Sequence, residues 1–227
     1  MSGSMEMQET AGHVLANLDE GRFVVDTGSP TSFARGGKIS FAGKTADVST
    51  SAMGMLDADE LSGYVGVKLD GMIGMDILGD YRLSFVGNRL LVDDVNAPED
   101  GFVALPTDSF LGIPVVTIGV NGRDVKAFVD TGAKTSYLNP DLLAGLPVEE
   151  TVHDFYPGVG EFDVDVSLAS CVLNGLPLKA RFGRLPDLLQ MTLMMGGVDG
   201  ILGHDLFSAY DVRIDHGRTV AIRPRLK

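Results

Sequence analysis

Phe23-Val24-Val25-Asp26-Thr27-Gly28-Ser29 and Ala127-Phe128-Val129-Asp130-Thr131-Gly132-Ala133 decide how this chain is read. Each sets Asp-Thr-Gly at the end of an apolar run rich in strand formers. Both copies continue alike, Thr31-Ser32-Phe33 being answered by Thr135-Ser136-Tyr137. A second pair follows in the same order: Asp70-Gly71-Met72-Ile73-Gly74-Met75-Asp76 and Asp199-Gly200-Ile201-Leu202-Gly203-His204-Asp205. That match runs on at one constant spacing, with Tyr81, Leu83, Phe85 and Arg89 answering Tyr210, Val212, Ile214 and Arg218. Two blocks, each written twice in one order, indicate an internal duplication. The copies are unequal, because the second carries a longer insertion around Phe155-Tyr156-Pro157-Gly158-Val159-Gly160.

Working outward, the duplication divides the 227 residues into two lobes of about a hundred residues each, marginal alone and sharing an interface. The expected division is residues 1–94, a linker over 95–105 that is polar and turn-rich, and residues 106–227. Strand signals dominate both parts. Arg22–Val25, Ile113–Val120 and Val125–Val129 are β-branched and aromatic runs, the latter two joined by Asn121-Gly122, a strong hairpin signal. Phe162-Asp163-Val164-Asp165-Val166 alternates as a half-solvated strand does. Helix is expected only in short pieces, Asp76–Tyr81, Asp205–Tyr210 and Pro140–Ala144. The fold class is therefore all-β, in two related lobes with short helices.

Composition limits the partners. The formal net charge is −13, from 18 basic and 31 acidic side chains. A field of that sign repels nucleic acid and anionic membrane surfaces. No apolar stretch approaches the length of a membrane span. Cys171 is the single cysteine and lies in an apolar run, so a buried thiol and a disulfide-free chain are expected. That fits a reducing compartment, and Met1–Glu6 carries neither the basic nor the apolar region of a signal peptide, so a cytoplasmic location is expected.

Asp-Thr-Gly after a strand holds a carboxylate at the end of a rigid element. Glycine allows another segment to approach closely. If the two loops meet, Asp26 and Asp130 lie side by side, and like charges so close cannot both ionise. Such a pair can deprotonate a water and protonate an amide, which is peptide hydrolysis without metal or covalent intermediate. Taken singly, each Asp-Thr-Gly could be a plain β-turn. Gly43-Lys44-Thr45 misses the phosphate-loop spacing by one residue. His13, His153, His204 and His216 show no ligand spacing, so neither metal nor cofactor is expected. Met191, Met194 and Met195 read as core or cleft fillers.

These motifs resemble the aspartic proteases, most closely the retropepsin-like (retroviral-type) branch, across most of the chain. The resemblance implies two β-barrel lobes of the acid-protease fold and a catalytic pair, Asp26 and Asp130. Thr27 and Thr131 would lock the two loops together, and Gly28 and Gly132 would let the backbone reach the substrate, with Ser29 and Ala133 completing the loops. Met72, Ile73, Ile201 and Leu202 would support the loops and line the pockets beside the scissile bond. Tyr156 and Gly158 would belong to a flap closing over a bound peptide. The first lobe has no clear flap, with Ile39–Lys44 a poor substitute. Ser29 is pepsin-like, and a hydroxyl donating to the carboxylate would lower the pair's pKa, so an acidic optimum is expected. Pro30 and Lys134 stand where retroviral enzymes carry an acidic substrate contact. The expected activity is that of an aspartic endopeptidase acting on peptide or protein, with the monomer sufficient. The alternative is a peptide-binding module with weak or no turnover.

Overall fold

The structure is a computed structural model, and it describes residues 3–10, 12–52, 54–94, 96–156 and 160–225. It is mostly β, with few short helices, as the sequence indicates. The first half contains β1 (Gly3–Glu6), β2 (Gln8–Thr10), β3 (His13–Leu18), β4 (Gly21–Val25), β5 (Phe33–Ala34), β6 (Lys38–Phe41) and β7 (Lys44–Asp47). It continues through β8 (Ser51–Ala52), β9 (Leu56–Asp57), α1 (Ala58–Val65), β10 (Gly71–Ile73), α2 (Met75–Leu78), β11 (Arg82–Val86) and β12 (Arg89–Val92). The second half contains β13 (Val103–Ala104), β14 (Thr107–Phe110), β15 (Ile113–Val120), β16 (Arg123–Val129) and β17 (Ser136–Leu138). After a 3-10 turn at Pro140–Leu143 come β18 (Glu150–Tyr156), β19 (Gly160–Leu173), β20 (Leu176–Arg184), α3 (Asp187–Met195), β21 (Gly200–Leu202), α4 (His204–Ala209), β22 (Tyr210–Asp215) and β23 (Thr219–Pro224).

The repeated motifs occupy matching places. In the first half β10 runs parallel to β4, Ile73 beside Val25, and antiparallel to β5, Met72 beside Phe33. In the second, β21 runs parallel to β16, Leu202 beside Val129, and antiparallel to β17, Ile201 beside Tyr137. The two glycine-containing strands thus pass directly beside the strands that lead into Asp26 and Asp130. Their apolar residues face inward on both sides, which is why they read as unbroken hydrophobic runs.

The downstream parts of the repeats meet in one six-stranded sheet, ordered β1-β12-β11-β22-β23-β13. At its centre β11 pairs antiparallel with β22, Leu83 opposite Ile214, Ser84 opposite Arg213 and Phe85 opposite Val212. Ser84 and Arg213 are equivalent positions of the two repeats, so a local two-fold axis passes between them. Phe85 meets Phe207 edge-on, ring centroids 5.3 Å apart, within one apolar core drawing on both halves. The segment 96–105 lies on this sheet: β13 pairs with β23, Leu105 is buried, and Glu99 bridges Arg82 and Arg213.

Several local expectations hold. The Asn121-Gly122 turn joins β15 to β16 with both residues at positive φ (51° and 75°), the geometry for which that dipeptide is favoured. In β19, Val164 and Val166 are buried and Asp163 and Asp165 exposed. Cys171 is buried, and that burial pushes its thiol up to about 12. Others need correction. Helix is not confined to the three short pieces, because α1 and α3 were not expected. Asp57 caps α1 by accepting from Asp59 N and Glu60 N while Glu60 returns a carboxylate to Asp57 N, and Gly66 at φ 77° ends it. Gly63 suggests a turn, but this box overrides it. On α3, Leu189 and Leu193 fill the core while Met191, Met194 and Met195 are exposed, so these methionines fill neither core nor cleft.

Candidate active site

Asp26 and Asp130 directly follow β4 and β16, and each is fixed by its neighbouring glycine-containing strand: Asp26 N donates to Ile73 O at 2.9 Å and Asp130 N to Leu202 O at 3.0 Å. Between the two loops Thr27 and Thr131 are buried and bonded reciprocally. Thr27 N donates to Thr131 Oγ1 and Thr131 N to Thr27 Oγ1, both at 3.0 Å. Their hydroxyls donate onward to Val129 O (2.7 Å) and Val25 O (2.6 Å), each in the opposite half. The carboxyls are thereby brought face to face. A Cβ on Gly28 would collide with the Asp130 carboxyl, and one on Gly132 with that of Asp26. Only glycine leaves room for this arrangement.

Behind the loops the supports are also duplicated. Gly74 N donates to Ser32 Oγ (2.8 Å) and Gly203 N to Ser136 Oγ (3.0 Å). Met75 N reaches Ser29 O at 2.8 Å and His204 N reaches Ala133 O at 2.9 Å. Below them the halves differ, for Asp76 accepts from Ser32 N and Oγ whereas Asp205 accepts from Arg181 N. Ile73 and Leu202 are fully buried here, so they hold the loops and offer no surface to a ligand.

The pair is electrostatically unequal. Burial and the nearby Asp130 charge raise Asp26 well above the usual carboxylate range. Burial also raises Asp130, but the amides of Gly132 (2.7 Å) and Ala133 (3.1 Å), both on its Oδ1, and a hydrogen bond from Asp26 oppose the rise. Asp26 receives Gly28 N at 2.9 Å on its own Oδ1. Buried side by side, the two acids hold a single proton between them. Ser29 does not act as the sequence suggests: its hydroxyl donates to Thr31 O at 2.9 Å rather than to a carboxylate, and the pair is raised rather than lowered.

Two pockets border the pair. One, of about 70 Å³, is walled by Val24, Leu61, Met72, Ile201 and Phe155, with His13 at its edge. The other, of about 170 Å³, is walled by Ser29, Pro30, Thr31, Ala52 and Met72. Tyr156, at the end of β18, lines both. Its phenol is pushed up to about 12 by burial and by the negative charges of Asp130 and Asp26. Gly158, Pro157 and Val159 lie outside the described residues. In the first half, β6 and β7 form only a short hairpin, with Ile39 and Phe41 buried in the core and Phe41 O accepting from Tyr81 Oη.

Four further side chains shape this site, of which His13 and Asp154 escape a reading of motifs. His13 is buried, and its Nδ1 lies 2.6 Å from Gly132 O. Lys134 donates to His153 O (2.5 Å) and faces Asp154 at 3.7 Å, and Asp154 accepts from Tyr137 Oη at 2.6 Å. Burial and Asp154 together raise the Tyr137 phenol. Lys134 thus ties the Asp130 loop to β18, where the family resemblance places an acidic substrate contact.

Comparison with known proteins adds a partial relationship. Over 106 residues, 46% of this chain, it is 28% identical to DNA damage-inducible protein 1 of Neurospora crassa. Over 101 residues, 44% of this chain, it is 32% identical to the UBA domain-containing protein Mud1 of Schizosaccharomyces pombe. It is similar in part to two fungal proteins. The matched regions cover 24% and 30% of those proteins, so the chain spans less than a third of either relative. No family model matches the chain. Among the described residues, no helix is long and apolar enough to cross a membrane.

Proposed function

We propose that the chain is an aspartic endopeptidase of retropepsin-like type, with residues 1–94 and 106–227 acting as two lobes and Asp26 and Asp130 as the catalytic pair. The observation that carries this reading is the reciprocal Thr27–Thr131 lock, which presses two carboxyls together beside two pockets and beneath a tyrosine. A structural turn has no use for two acids held where burial raises both.

In the proposed reaction a peptide lies across the pair with side chains in the two pockets, against Met72 and Ile201. Asp130, the anion, takes a proton from a water as its oxygen attacks the peptide carbonyl carbon. Asp26 gives its proton to the carbonyl oxygen. Collapse of the tetrahedral diol breaks the C–N bond, the amine leaves with a proton from Asp130, and Asp26 recovers one from the diol. Tyr156 excludes bulk water above the pair, which strengthens each of these interactions. Both carboxyls come from one chain, so a monomer suffices.

The short β6–β7 hairpin of the first half, folded onto Tyr81 rather than over the pair, favours a second reading, a peptide-binding module with little turnover. A statine-type transition-state analogue separates the two. A protease binds it far more tightly than the matching peptide and loses that advantage in Asp26→Asn. Equal affinity for both compounds would support the module.

A further inference from the structure

The residue just before Tyr156 leaves its own half of the molecule. Phe155 packs against the apolar cluster of the first half, formed by Leu15, Val24, Leu56, Leu61 and Met72 among others. Its ring stacks on Tyr64 of α1, centroids 4.5 Å apart and planes within 18°. The His13 ring meets it at 6.1 Å, and His13 in turn contacts Gly132 O. Tyr64 keeps 39% of its surface exposed, so its ring stands at the surface of α1 with Phe155 stacked against it. The first half's own hairpin, β6–β7, is folded onto Tyr81. The cleft is therefore roofed by a hairpin from one half and a helix from the other.

We propose that Tyr64 is a positioning residue that, through Phe155, holds the β18–β19 hairpin shut and sets the size of the smaller pocket. The assignment of a substrate side chain to that pocket rests on the endopeptidase reading. Phe155 forms part of the wall of a space of about 70 Å³, room for about five to seven water-sized groups at 10–15 Å³ each. The four carbons of a leucine side chain fit with room to spare, whereas the seven of a benzyl group fill it to its limit. Without the Tyr64 ring, Phe155 is free to turn outward, the pocket widens and the hairpin opens more often.

The test uses the full chain with Tyr64→Ala, Tyr64→Phe and Phe155→Leu, and peptide pairs carrying Leu or Phe on either side of the cut. Tyr64→Ala raises KM for the Leu peptides about fivefold with kcat within about twofold, as loss of a ring stack worth a factor of about two to ten requires. It also brings the Leu-over-Phe selectivity toward one, while Tyr64→Phe behaves as wild type. Hydrogen exchange at the Glu150–Tyr156 amides accelerates about two- to tenfold in Tyr64→Ala, whether or not the protein cleaves peptides. Phe155→Leu reproduces both effects if Tyr64→Ala does not fold. Unchanged exchange and unchanged selectivity in folded variants overturn the proposal. A wild type that cleaves nothing, with exchange still faster in Tyr64→Ala, defeats the protease reading and leaves the clamp standing.

Discussion

Thr27 and Thr131 each donate a backbone N–H to the other's hydroxyl oxygen at 3.0 Å, and each hydroxyl donates to a strand carbonyl of the opposite half. Four hydrogen bonds in a buried position tie together loops separated by more than a hundred residues. Removing one hydroxyl leaves two partners unsatisfied. Thr131→Val is therefore expected to cost about 1–3 kcal/mol in urea unfolding for each group left bare. Thr131→Ser retains the hydroxyl and recovers most of the loss. An undiminished stability in Thr131→Val would contradict the lock.

The Gly28 position tests the close approach directly. In Gly28→Ala the new Cβ displaces the Asp130 carboxyl, and a displacement near 1 Å costs about 10²-fold in rate. Thermal unfolding reports whether the fold survives, with an overpacking penalty of about 1–3 kcal/mol expected. Full activity in Gly28→Ala would show that the carboxyls do not act from these positions.

The buried acids impose a pH dependence on stability. An ordinary aspartate titrates near 3.9, and in the fold Asp26 is raised well above that by burial and by Asp130. A raised group contributes stability that is fully present below its unfolded value and is lost as pH rises through its folded value. Asp130→Asn removes the opposing charge, so the variant should melt above wild type at pH 7, by a margin that shrinks at pH 4. Melting curves at both pH values decide it, and a variant less stable at pH 7 would contradict the crowded-acid account.

His13 acts in the opposite sense. Burial lowers it from the ordinary histidine value near 6.5, against the Gly132 carbonyl and Asp154, which favour the charged form, and with Lys134 and His204, which oppose it. A lowered group contributes stability that is present above its unfolded value and is lost as pH falls through its folded value. Wild type should lose stability from about pH 6.5 downward more steeply than His13→Gln. Parallel curves for the two proteins would remove His13 from that account.

Much of this was legible because it was written twice. The Asp-Thr-Gly and Asp-Gly-x-x-Gly segments locate the strands, the loops and the face-to-face acids, since each copy vouches for the other. Local chemistry placed the Asn121-Gly122 hairpin and the buried Cys171. Helix α1 escapes the sequence reading because Gly63 suggests a turn inside it, although the Asp57–Glu60 capping box and Gly66 at its end both mark a helix. The exposed Met191, Met194 and Met195 show that apolar identity alone does not fix burial. His13, Tyr64 and the bond from Lys134 to β18 could not be read from any window. His13 meets Gly132 across 119 residues, and only the tertiary fold brings them together.

The most direct measurement is digestion of an unstructured protein by the wild type and by Asp130→Asn from pH 3 to 8, with fragments identified by mass spectrometry. The account predicts cleavage between the two titration steps of the pair, where one acid is protonated and the other ionised, with aliphatic residues flanking the cuts. In Asp130→Asn it predicts a fall of about 10²–10⁴-fold. Cleavage that persists undiminished in Asp130→Asn would contradict it.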